Sequence, residues 1–159
     1  ERLGDVKIVR TMPNTPALVG EGITGVCKNN LVTEDEFAYV LKLLSSFGLA
    51  EAIPESLMDA VVSVSGSSPA YVFLFIEAMA DAAVADGMPR AQAYKFAAQA
   101  VLGSAKMVLE TGKHPAELKD MVCSPAGTTI EAVRVLEEKG FRGAVMDAMK
   151  ACTAKAKGI

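Results

Sequence analysis

The stretch SPAGTTIEAV, Ser124 to Val133, places three hydroxyl residues and a glycine directly ahead of an apolar pattern with helical spacing. Two chemistries fit it. Thr128-x-x-Glu131 has the spacing of a capping box. The threonine hydroxyl would accept the N–H of Glu131, and the glutamate would reach back to the threonine N–H. A helix N-terminus also presents unpaired N–H groups and about half a positive charge, which suits a small anion. Gly127 would let the backbone approach such a ligand. Ser124, Thr128 and Thr129 would add hydroxyl donors. The two readings are compatible on these residues alone.

Other polar stretches offer less. TMPNTP, Thr11 to Pro16, ends a β-branched run and reads as a Pro-bounded turn. SGSSPAY, Ser65 to Tyr71, reads as a helix stop and restart. The single histidine, His114, precedes a proline and suits the start of a helix. One histidine and three widely spaced cysteines form no metal-ligand pattern. The odd, separated cysteines point to a reducing, cytoplasmic setting.

The elements that must carry these residues fall into two parts. In residues 1–54, Val6–Arg10, Ile23–Cys27 and Ala50–Ile53 read as short strands. A helix opens at the capping box Thr33-x-x-Glu36 and shows Phe37, Val40, Leu41 and Leu44 on one face. The first residues already resemble the approach to a strand, so the chain is expected to begin inside a domain. In residues 55–159 strand signals vanish and five or six helices follow. The helix after Ser67-Ser68-Pro69 is apolar nearly all round, which predicts burial on most sides. Glu77 and Asp81 on it are expected at an interface or in a buried pair. The expected fold is mostly α, a helical dimerisation domain preceded by the strand-helix remnant of a Rossmann-like α/β domain.

Composition sets further limits. The chain has 159 residues, 51% of them hydrophobic and 6% aromatic, with net charge −3. No basic block is present, which argues against a nucleic-acid partner. The long uncharged run from Ala60 to Ile76 is interrupted by serines, a glycine and a proline, which argues against a membrane span. About a hundred helical residues lack enough surface of their own to cover such an apolar helix. That predicts a homodimer, with higher assembly left open.

Taken in order, RTMPNTP, SGSSPAY, HPAELKD and SPAGTTIEAV resemble the pyrroline-5-carboxylate reductase family over essentially the whole chain. The resemblance implies a dinucleotide-binding domain followed by a helical dimerisation domain. It implies reduction of pyrroline-5-carboxylate to proline with NADPH or NADH. It assigns Ser124, Gly127, Thr128 and Thr129 to the substrate, with Thr129 hydrogen-bonded to the imine nitrogen as the catalytic candidate. It places Met12, Pro13 and Asn14 near the nicotinamide, with Ser65, Gly66 and Ser67 as second-tier residues.

Two departures stand out. The G-x-G-x-x-G/A phosphate turn of that family is missing from these residues, so the chain alone is expected to be inactive. Alanine also stands at position 126, where the family commonly has glycine. If that position needs a positive φ, alanine would cost about 1 kcal/mol. A rival expectation is the dimerisation module of a β-hydroxyacid-type dehydrogenase. Such an enzyme needs a catalytic lysine within its helices, whereas Lys95 and Lys106 read as exposed.

Overall fold

The computed structural model describes residues 4–158. Three strands form one sheet: β1 (Val9–Met12), β2 (Gly22–Lys28) and β3 (Gly48–Ala52). The central β2 runs antiparallel to β1, with Met12 opposite Gly25, and parallel to β3, with Gly22 opposite Gly48. A parallel pair needs a crossover, and α1 (Glu34–Leu44) supplies it. As the middle strand, β2 buries Thr24, Gly25, Val26 and Cys27 in succession. Phe37 of α1 is buried against Val26 and Val32, with Val9, Leu41, Leu44 and Ala50 around them. Burying a phenylalanine contributes on the order of 2–3 kcal/mol, so this face holds α1 to the sheet.

Helix α1 opens as its sequence predicts. Thr33 Oγ1 accepts the Glu36 N–H at 3.3 Å, and Glu36 Oε2 accepts the Thr33 N–H at 3.0 Å. Lys7 also pairs with the Glu36 carboxylate. That bond, followed by the Thr33 N–H, holds the carboxyl down to about 2.

The remaining helices are α2 (Met58–Val61), α3 (Ser68–Ala85), α4 (Arg90–Thr111), α5 (Pro115–Val122), α6 (Thr128–Glu138) and α7 (Phe141–Ala156). A widened helical turn, Val62–Gly66, joins α2 to α3 and is closed by the Ser67 N–H donating to the Val62 carbonyl at 2.8 Å. The chain gathers into two compact units. One runs up to Tyr71 and takes in the chain from Asp147 onward; the other is Val72–Met146.

Within this chain helix α3 is covered on few sides. Only Ala80 of it is buried, while Phe73 is 59% and Leu74 68% exposed. An 18-residue apolar helix needs several covering neighbours, and a single chain of this size supplies too few, as its sequence suggests. Of the two settings expected for Glu77 and Asp81, the buried pair is corrected: Asp81 pairs with Arg90 on the surface, and Glu77 is exposed. The helical run Glu55–Ala85 holds an 18-residue stretch of mean hydropathy 1.4 and is long and apolar enough to cross a membrane by those measures alone. The core helix of a soluble protein passes the same test, and the widened turn interrupts this run.

Candidate functional site

The loop between α5 and α6 begins with a proline-led turn. The Gly127 N–H donates to the Ser124 carbonyl at 3.1 Å, closing a four-residue turn with Pro125 and Ala126 at its centre. Proline fixes φ near −65° for the second position of such a turn. The third position then takes a positive φ, and Ala126 has φ 55°. It is the non-glycine residue among those described that has a positive φ. Glycine would hold this conformation without the Cβ penalty.

The turn shifts the start of α6. Gly127, with φ −80° and ψ 169°, is the N-cap, and Thr128 is already the first helical residue. The capping box Thr128-x-x-Glu131 therefore does not form. The threonine stands one position too late to receive the third N–H. Glu131 has turned along the helix to Arg134, at 3.0 Å from Nε and 2.5 Å from Nη2. That pairing lowers the Glu131 carboxyl from its ordinary value. No side chain caps α6. Its leading N–H groups lack intrahelical acceptors and face outward at the positive end of the helix.

The Ser124 hydroxyl lies beside Gly127, the N-cap of α6. A Cβ on Gly127 would lie 2.3 Å from Ser124 Oγ, so only glycine leaves the serine hydroxyl where it stands. Ser124, Gly127, Thr128 and Thr129 are thus gathered at one helix start, Ser124 and Thr128 exposed, Gly127 and Thr129 half-buried. Hydroxyl donors beside free N–H groups can hold a small carboxylate. His114 lies at the other end of the neighbouring α5 as its N-cap, its Nδ1 accepting the Ala116 N–H at 3.1 Å.

Met12, Pro13 and Asn14 belong to the other compact unit, at the carboxyl end of β1. This is more than a Pro-Asn turn. Asn14 Nδ2 donates to the Ser65 carbonyl at 3.2 Å, and its Oδ1 accepts the Ile23 N–H at 2.9 Å. Met12 lies across Gly66, where a Cβ would stand 2.5 Å from the methionine methyl. Ser65 and Gly66 are therefore brought against this loop. Pro13 is exposed.

Two residues here were missed by the sequence reading. Cys152 Sγ lies 3.3 Å from Ser67 Oγ, and Thr153 Oγ1 lies 2.9 Å from Ser63 Oγ. The Ser67 hydroxyl, and then Tyr71, hold the Cys152 thiol below its ordinary value. The sequence carries no signal for these contacts beyond the helical stripe that places Cys152 inward. Among the described residues, no group of three or more His, Cys, Asp or Glu side chains converges as a metal site would require.

Comparison with known proteins adds independent findings. The family described as pyrroline-5-carboxylate reductase dimerisation matches residues 55–159. A relative from Escherichia coli strain K12 named pyrroline-5-carboxylate reductase is 70% identical over 155 residues, covering 98% of this chain and 58% of the relative. One of the same name from Synechocystis is 52% identical over 147 residues, covering 92% and 55%. The chain therefore spans less than two thirds of the curated relatives it matches. Among solved structures, the Plasmodium falciparum pyrroline carboxylate reductase with NADP bound superposes with TM-score 0.91 at 39% identity, covering 98% of this chain and 62% of that one. A pyrroline-5-carboxylate reductase from Coxiella burnetii gives TM-score 0.93 at 37% identity, covering 98% and 58%.

Proposed function

The chain belongs to the pyrroline-5-carboxylate reductase dimerisation family, and from that premise we propose that it supplies the substrate side of an enzyme reducing 1-pyrroline-5-carboxylate to proline with NADPH or NADH. The observation that carries the reading is the uncapped start of α6 under Ser124. The substrate bears a carboxylate beside its imine nitrogen. The N–H groups of Thr128 and Thr129 and the Ser124 hydroxyl would hold that carboxylate. The Thr129 hydroxyl would bond the nitrogen and fix the ring's orientation. A threonine hydroxyl is too weak an acid to deliver the proton itself, so protonation precedes binding or passes through water.

Residues 1–54 are read as the end of a dinucleotide-binding domain and 55–159 as the helical dimerisation and substrate domain. The carboxyl end of β1 is where such a sheet meets a nucleotide. The residues present fit only the nicotinamide end, because the phosphate-binding turn is not among them. The Asn14 side chain is engaged by Ser65 and Ile23, so contact falls to Met12, Pro13 and the loop backbone. When bound, the nicotinamide supplies the hydride received by the imine carbon. The exposed apolar side chains of α3 and α4, among them Phe73, Leu74, Phe96 and Leu102, support a homodimer. The separated free cysteines support a cytoplasmic location.

The test is oxidation of NADPH by pyrroline-5-carboxylate in the enzyme that contains this segment. Thr129→Val is expected to lower kcat/KM for the imine about tenfold or more, with the KM for NADPH unchanged. Unaltered imine kinetics would remove Thr129 from the site.

A further inference from the structure

The widened turn between α2 and α3 is built from serines, and each has a partner. Ser63 is buried and donates to the Ala60 carbonyl at 3.0 Å; Ser65 donates to the Val61 carbonyl at 3.0 Å. The turn closes five residues apart in place of the four of an α-helix, and these hydroxyls add bonds to the Ala60 and Val61 carbonyls. The turn is held on two sides. From one side comes the last part of α7: the Thr153 hydroxyl donates to Ser63, and Cys152 Sγ is hydrogen-bonded to the Ser67 hydroxyl. On the other side the turn presents the Ser65 carbonyl to Asn14 and the bare Cα of Gly66 to Met12. Asn14 then fixes β2 through the Ile23 N–H. A continuous chain of contacts thus runs from α7 through the serine turn to the loop after β1. All of it lies in one compact unit.

We propose that Thr153 and Cys152 are positioning residues that clamp the turn Val62–Gly66 and so set the geometry of Met12–Asn14. The consequence for cofactor binding rests on the reading of that loop as the nicotinamide-facing segment. The clamp itself does not. Widened turns of this kind are rare and interrupt the regular ladder of an α-helix. The two contacts from α7 brace this one from outside. They lie 85 and 90 residues along the chain from the serines they bind.

The readout is amide hydrogen exchange in the enzyme that contains this segment. The Ile23 N–H, bonded to Asn14, is compared with the Phe37 N–H, bonded to the Thr33 carbonyl in α1. Thr153→Val keeps the side-chain shape and removes the donor. It is expected to speed Ile23 exchange relative to Phe37 about fivefold, the effect of one net hydrogen bond. Thr153→Ser should restore the parent ratio. Cys152→Ala is expected to act in the same direction, and it decides the matter should Thr153→Val fail to fold. An Ile23-to-Phe37 ratio unchanged in the folded variants would overturn the clamp. In the enzyme, Thr153→Val should raise the KM for the nicotinamide nucleotide and leave that for the imine in place. A faster Ile23 with an unmoved nucleotide KM would uphold the clamp and reject the nicotinamide role of Met12–Asn14.

Discussion

Helices α1 and α6 are both introduced by Thr-x-x-Glu, Thr33 to Glu36 and Thr128 to Glu131, yet they begin in different ways. At α1 the pattern closes on itself. Threonine and glutamate each satisfy the other's backbone, and Lys7 joins the carboxylate. At α6 the same letters fall one position later relative to the helix start, because the preceding Ser-Pro-Ala-Gly turn makes Gly127 the N-cap. The glutamate then pairs forward with Arg134, and the leading N–H groups keep no side-chain partner. A capping motif is therefore decided by what precedes it. One helix start is closed by its own side chains; the other has no side-chain cap, which is what the proposed carboxylate site uses.

The difference can be broken most sharply at Gly127. Gly127→Ala has an allowed backbone but puts a Cβ against Ser124 Oγ, so the serine must swing away. Steady-state kinetics in the enzyme should show kcat/KM for the imine falling by about 10- to 100-fold, the worth of one or two charge-assisted hydrogen bonds. Thermal stability should barely move.

Paired threonine substitutions come next. Thr33→Ala removes a working cap and should cost about 1 kcal/mol in denaturant unfolding. Thr128→Ala removes no cap and should leave stability within about 0.3 kcal/mol of the parent. Equal losses would erase the distinction between the two helix starts.

The turn that creates the difference also carries strain. Ala126→Gly relieves a Cβ at φ 55° and should stabilise the chain by about 0.5–1 kcal/mol in the same experiment. A loss of stability would mean that unfolded-chain entropy outweighs that strain.

The smallest effect is in pH. The Glu36 carboxyl is held down to about 2, first by Lys7 and then by the Thr33 N–H, from an ordinary 4.5. A lowered carboxyl adds stability that is fully present above the ordinary value and is lost as pH falls through the folded one. A side-chain shift titration should place the Glu36 midpoint near the lower value, and Thr33→Ala should move it upward.

Much of the fold was legible because its signals are local. The capping box at Thr33 had no competing turn before it. His114 starts α5 as the sequence suggests. β1 was displaced by a few residues, to Val9–Met12, because its pairing with β2 sets its ends and a β-branched run does not. The candidate site was half legible. The hydroxyls and glycine of Ser124–Thr129 were visible, but their cap assignment needed the turn geometry at Ala126. The contacts of Asn14 were not legible in the residues themselves; the family resemblance put the Asn14 and Ser65 stretches near one site without pairing them. Ser65 lies 51 residues away, and Thr153 meets Ser63 across 90. A shift in helical hydrogen-bond register, such as the one at Val62–Gly66, leaves no mark on hydrophobic spacing.

The central claim is that the open start of α6 holds the substrate's carboxylate. Its direct test is a titration of the assembled enzyme with proline, following backbone amide shifts at both helix starts. The account predicts saturable shifts at Gly127, Thr128 and Thr129, lost in Ser124→Ala, with the amides of Thr33 and Glu36 still. Proline that saturates the enzyme while the amides at 127–129 stay in place would contradict it.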